Sequence, residues 1–228
     1  MEHFPFLPYQ WRRMIQFSLF NIPIRVLPWF WLTLALIGGV TRVREKEQFF
    51  LLLLFLIAGF ITVLVHELGH ALTAKAFGKR VEIVLQAFGG YASYSGGAPL
   101  SRTRTFLVTA AGPALQIVLG GLVYVFAETF PGMSFQAIYF LKVLYGISFV
   151  WAILNLLPVL PLDGGRLLQT ILGPSRIKLT LMISMAVAAG LGLLHLLLAG
   201  INDPLDLLLP IFMGMFAYQA FQALKALP

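Results

Sequence analysis

The sequence predicts an all-α membrane protein of about six transmembrane helices, with a short membrane-associated β-hairpin between the second and third. Three observations carry that expectation. The 228 residues are 59% hydrophobic and only 11% charged, with a mean hydropathy of +0.88, whereas a soluble domain carries about 25% charged residues. Too few charges remain to cover a water-facing surface, and a disordered chain is excluded by the same numbers. The apolar residues gather in runs near the roughly 20 that a helix needs to cross hydrocarbon. After the second run the pattern changes to short, strand-like segments.

Six runs qualify as spans: 24–40, 49–74, 103–127, 135–157, 177–199 and 204–225. The first is short for a span, and the last contains Pro210. Arg12 and Arg13 precede the first run, Pro23 and Pro28 interrupt it, and no small-residue cleavage site follows it. It reads as a retained span rather than a signal peptide. No period of 20–50 residues repeats. The longest connection, 75–102, is too short for a separate soluble domain, so residues 1–228 read as one polytopic membrane domain.

Within that connection, Val81 to Phe88 and Tyr91 to Ser95 are apolar, β-prone runs separated by Gly89-Gly90, a two-residue turn signal. Gly96, Gly97 and Pro99 end the pattern. So apolar a hairpin is expected to dip into the membrane against protein. An interfacial loop without further role is the plainer alternative.

The net charge of +7 fits loop charges beside lipid headgroups better than nucleic-acid binding, because the cations are scattered between apolar runs. With the N-terminus in the cytoplasm, the inner segments collect Arg12, Arg13, Arg25, Lys75, Lys79, Arg80, Arg102, Arg104, Arg166, Arg176, Lys178 and Lys225. The outer loops collect only Arg42, Arg44 and Lys46, with Lys142 left inside a span. That asymmetry places both termini in the cytoplasm. Spans two and four then both end near the cytoplasmic face.

The chain has no cysteine, so any metal must be held by His and carboxylates. Near the end of span two stands His66-Glu67-Leu68-Gly69-His70. On a helix, residues four apart are neighbours about 40° apart around the axis. Two imidazoles can therefore face one Zn²⁺, with Glu67 rotated about 100° and in reach of water. Shuffling 4 His and 6 Glu through the chain gives roughly 0.002 such motifs. Ionisable groups inside a membrane helix are expensive and default to function.

A catalytic zinc site of this kind takes three protein ligands. Glu45, Glu47, Glu128, Asp203 and Asp206 fall on the outer side, and Glu2 lies in the terminal tail. Glu82 is on the correct side but in the hairpin. Asp163 is on the correct side directly after span four, in Asn155-Leu156-Leu157-Pro158-Val159-Leu160-Pro161-Leu162-Asp163-Gly164-Gly165-Arg166. Pro158 and Pro161 break the helix, and the paired glycines permit a tight turn behind the carboxylate. The competing reading makes Asp163 the N-cap of the short helix that follows.

These motifs resemble the site-2 protease family of intramembrane zinc metalloproteases, peptidase family M50. The resemblance covers roughly residues 55–170. It rests on His66-Glu67-Leu68-Gly69-His70, on Ala111-Gly112-Pro113, and on the Asn155 to Gly164 segment. It implies zinc ligands at His66, His70 and Asp163, with Glu67 as the catalytic acid/base. It also implies that Asn155 positions substrate or stabilises the intermediate. With no room for a PDZ or CBS domain, this would be a minimal member. Where Gln116 stands here, many relatives carry Asn.

The expected function is a zinc endopeptidase that cuts transmembrane segments of other membrane proteins near the cytoplasmic face. Its partners would be those substrates, the lipid bilayer and a regulatory membrane protein. The alternatives are a metal-binding or metal-transporting membrane protein, which needs no general base, and a pseudoprotease. Once a substrate segment unwinds, its backbone groups need partners. The hairpin, with Gly89 and Gly90 at its turn, is expected to bind it by strand addition through alternate N–H groups among Val84, Leu85, Gln86 and Ala87, those that face the substrate. His195 is expected to hydrogen-bond a neighbouring helix, Lys142 to snorkel outward, and His3 to belong to the tail. Most Phe residues would face lipid or pack, and Trp11, Trp29 and Trp31 would anchor at the interface.

Overall fold

The computed structural model describes residues 15–200 and 204–227. Expectations for Glu2, His3, Trp11, Arg12, Arg13 and Asp203 lie outside the described residues.

The first expected span, 24–40, is not a helix crossing hydrocarbon. Strand β1 (Ile15–Leu19) turns through Phe20 and Asn21 into β2 (Ile22–Val26). Both turn residues have positive φ, 52° and 55°, as a two-residue hairpin turn of matching twist requires. Ile22, Ile24 and Val26 are buried while Pro23 is exposed, so the apolar residues here have a period of two rather than 3.6. Helix α1 (Pro28–Ile37) then begins with proline in its first turn, where the missing N–H removes no hydrogen bond. Its 10 residues reach about 15 Å, half the roughly 30 Å of a hydrocarbon core.

Four helical runs are long and apolar enough to cross a membrane among the described residues: Lys46–Ala76, Arg102–Thr129, Phe135–Leu156 and Pro174–Ala199. The first three are α2, α3 and α4, with α5 (Asp163–Leu172) and α6 (Ile177–Ala199) following. The expected sixth span corresponds to α7 (Leu208–Lys225), which packs along α6. Tyr218, Gln219, Gln222 and Lys225 dilute its second half, which keeps it out of the four.

Strands β3 (Arg80–Gln86) and β4 (Gly89–Ser95) form the expected hairpin between α2 and α3, within a larger sheet. The sheet order is β1-β2-β3-β4, with β2 and β3 parallel and the other pairs antiparallel. Register fixes Ile24 beside Ile83 and Val26 beside Leu85. Ile22, Ile24, Val26, Ile83 and Leu85 pack on Val63, Leu64, Leu68 and Ala71 of α2, so the sheet lies on the stretch of α2 that carries the histidines. The hairpin turn differs from expectation. Gln86 pairs with Gly89, making Ala87 and Phe88 the turn residues, with Phe88 at φ 62°. Gly89 and Gly90 open β4 instead.

A second cluster joins Val159, Ala188 and Met213, linking the α4–α5 connection to α6 and α7. The Trp31 ring stacks on Phe60 at 5.3 Å and 23°, and Trp29 is 63% exposed. His195 does not make the expected interhelical bond; its buried Nε2 has no hydrogen-bond partner among the described residues.

Candidate active site

Helix α2 delivers His66, Glu67 and His70 to one buried place, at 4%, 5% and 9% exposure. The two Nε2 atoms lie 3.1 Å apart. Asp163 Oδ2 lies 3.0 Å from the His66 Nε2 and 3.2 Å from the His70 Nε2. On the far side of each ring an oxygen receives the Nδ1 proton: Gln116 Oε1 at 3.0 Å for His66 and the Val108 carbonyl at 2.8 Å for His70. Both imidazoles are thereby held with Nε2 unprotonated.

Helix α3 can approach this closely because its facing stripe is cut back. A side chain on Gly69 would run into the Ala111 carbonyl, and one on Gly112 into the His70 ring. Val108, Gly112 and Gln116, spaced four apart, are the positions that touch or clear the histidines.

Asp163 arrives from the other half of the chain. The connection from α4 is braced by Ser184 of α6, whose Oγ accepts the Leu160 N–H at 3.1 Å and donates to the Pro158 carbonyl. Gly164 and Gly165 pack against the backbone of residues 156–160, where any side chain would collide. The N-cap reading fails: Leu162 is the N-cap and makes no side-chain capping bond, while the Asp163 carboxylate turns to the imidazoles. Glu82 is elsewhere, paired with Arg25 at 2.6 Å and accepting from Ser93 at 3.1 Å.

The donor set fits a metal ion. Three lone-pair atoms form a triangle with edges of 3.0–3.2 Å, close to the roughly 3.3 Å between ligands of a tetrahedral zinc at 2.0–2.1 Å. No hydrogen bond satisfies the Asp163 Oδ2, because neither Nε2 has a proton to give. A cation meets all three at once.

Glu67 faces a cavity of about 700 Å³ that also contains His66, His70, Asn155, Asp163 and Arg166. Gly89 and Gly90 line the same cavity from β4, and α7 closes it with Phe212, whose ring meets Phe88 of the hairpin at 4.6 Å. Asn155 Nδ2 donates one bond to the Trp151 carbonyl at 3.0 Å, which leaves its second N–H over.

The expected free edge on β3 is not there, since β2 and β4 pair with it on both sides. The edge strand beside the cavity is β4. Leu27 N–H donates to the Leu85 carbonyl at 2.9 Å, so Leu85 directs its polar groups toward β2. Its cross-strand neighbour Gly90 must then direct its own away from β3, and alternation gives Ala92 and Tyr94 the same orientation. All three line the cavity.

Four helices long and apolar enough to cross a membrane, with two His, one Asp and a buried Glu around a cavity, define an integral membrane protein with a candidate metal centre. Residues 54–137 and 131–198 match the pattern of peptidase family M50, and the chain belongs to that family. It is 29% identical over 177 residues to a zinc metalloprotease of Methanocaldococcus jannaschii, covering 77% of this chain and 49% of the relative. It is 35% identical over 150 residues to stage IV sporulation protein FB of Bacillus subtilis, covering 64% and 46%. The chain thus spans about half the length of these curated relatives. The structure of a site-2 protease from M. jannaschii superposes with a TM-score of 0.60 at 25% identity, covering 94% of this chain and 97% of the other.

Proposed function

We propose that this chain is an intramembrane zinc endopeptidase that hydrolyses peptide bonds in or near transmembrane segments of other membrane proteins. The observation that carries this reading is the convergence of His66, His70 and Asp163 with Glu67 on one cavity. His66, His70 and Asp163 would hold one zinc ion. Bound there, zinc supplies a Lewis acid for the scissile carbonyl and brings the pKa of water toward neutrality. Glu67 takes the proton from the attacking water and returns it to the leaving amine. The remaining N–H of Asn155 is offered to the charge that develops on the carbonyl oxygen. The open edge of β4, whose outward main-chain groups begin at Gly90 next to Gly89, holds the unwound substrate strand by main-chain hydrogen bonds. In hydrocarbon each such group left unpaired costs several kcal/mol.

Residues 1–228 act in this reading as one membrane-embedded unit. The basic residues Lys75, Lys79, Arg80, Arg102, Arg104, Arg176 and Lys178 cluster at the helix ends nearest the sheet and cavity, which supports a cytoplasmic site and cytoplasmic termini. Co-expression with single-span membrane proteins tests the proposal. The wild type should yield a cleaved product that Glu67→Gln does not, although both bind zinc. A Glu67→Gln protein that retains its cellular role would overturn it in favour of metal binding or transport.

A further inference from the structure

Gln116 is a polar side chain in the wrong solvent. It is fully buried at 0% exposure in an apolar helix, and its Nε2 has no hydrogen-bond partner among the described residues. A buried amide group without partners is destabilising, and leucine would fill the same space with no such penalty. Its single polar contact is Oε1 to His66 Nδ1 at 3.0 Å.

We infer that Gln116 is the positioning residue of the metal centre: its carbonyl oxygen fixes the tautomer and ring direction of His66. An imidazole with no acceptor at Nδ1 samples both tautomers, and the one protonated at Nε2 cannot bind a cation. His70 gets the same service from the Val108 main chain, which no side-chain substitution removes. The two histidines are therefore oriented asymmetrically, one by backbone and one by a single side chain of α3. The Gly112 contact sets the distance between α2 and α3, and Gln116, one turn along the same stripe, uses that distance to reach His66. A carboxylate in its place would accept the same proton more strongly.

This inference rests on His66 being a zinc ligand. The test is zinc affinity of the purified full chain, measured by competition with a chromophoric chelator. Gln116→Leu is expected to bind zinc about 10–100-fold more weakly, the usual loss for a partner behind a metal-bound histidine. Gln116→Glu is expected to bind at least as tightly as wild type. The melting temperatures of the zinc-free proteins separate this role from packing, which would shift melting but leave affinity unchanged. Wild-type affinity in Gln116→Leu, or weakened affinity in Gln116→Glu, overturns the inference while leaving the proposed function standing. Should Gln116→Leu fail to fold, the Gln116→Glu comparison decides alone. A wild-type chain that binds no zinc overturns the proposed function and this inference with it.

Discussion

Gly90 and Glu67 touch. A β-carbon placed on Gly90 would sit 2.9 Å from the Glu67 Cγ and 3.1 Å from its Oε1, tighter than ordinary van der Waals contact. The first outward-facing residue of the β4 edge and the proposed base are thus immediate neighbours, so a strand held by that edge lies beside the carboxylate.

Gly90→Ala should displace Glu67, along with the Leu85 Cδ2 that lies 2.8 Å from the same position, without disturbing the metal donors. Cleavage should fall about 10- to 100-fold, as for a displacement of about 1 Å, while zinc content stays that of wild type. Quantifying product and bound metal in the same preparation checks both halves; undiminished cleavage would contradict the geometry.

Gly112→Ala should remove the metal instead. The new methyl would lie in the His70 ring, so zinc and activity should disappear together. Gly121→Ala, on the same helix with nothing within 4 Å, serves as the control and should retain both.

Asp163→Ala should lose most of its zinc by elemental analysis, and Glu82→Ala should keep it. The reverse result would move the third ligand into the sheet.

Proline substitutions separate the edge of β4 from the interior of the sheet. Ala92→Pro and Tyr94→Pro delete an outward N–H and should lower cleavage with zinc retained. Leu85→Pro deletes an N–H inside the β2–β3–β4 ladder and should reduce expression and zinc as well. Equal tolerance of all three would exclude strand addition.

Reporter fusions at residue 170 and after Lys225 should report cytoplasm, and a fusion near residue 130 the opposite side. An outer signal at residue 170 would invert the proposed topology.

The convergence of the proposed metal donors and base was legible because three of the four residues are local in sequence. His66, Glu67 and His70 share one helical turn, and Asp163 stands on the matching side of the predicted topology. The sheet was only half legible. Gly89-Gly90 signalled a hairpin, but Gly90 answers to the approach of Glu67, and Gly89, at φ 139°, to its backbone conformation and the nearby Trp151 ring. Ile22, Ile24 and Val26 were absorbed into a hydrophobic run, since an apolar strand and an apolar helix have similar composition. The edge was assigned to the wrong strand because β2, the partner that covers β3, comes from over fifty residues earlier in the chain. Gln116 was missed as a partner of His66, although the Val108, Gly112 and Gln116 spacing marked the stripe facing α2.

His66 and His70 belong to α2 and Asp163 to α5, and both helices pack against α3 and α4. An ion that needs all three donors therefore has no site on the unfolded chain. It is a clasp between the two halves of the molecule. Mass action makes such a clasp worth about 4 kcal/mol when free ion stands at a thousand times its Kd, a large part of the 5–15 kcal/mol typical of a native fold. Chelation would then weaken the fold as well as remove the proposed activity.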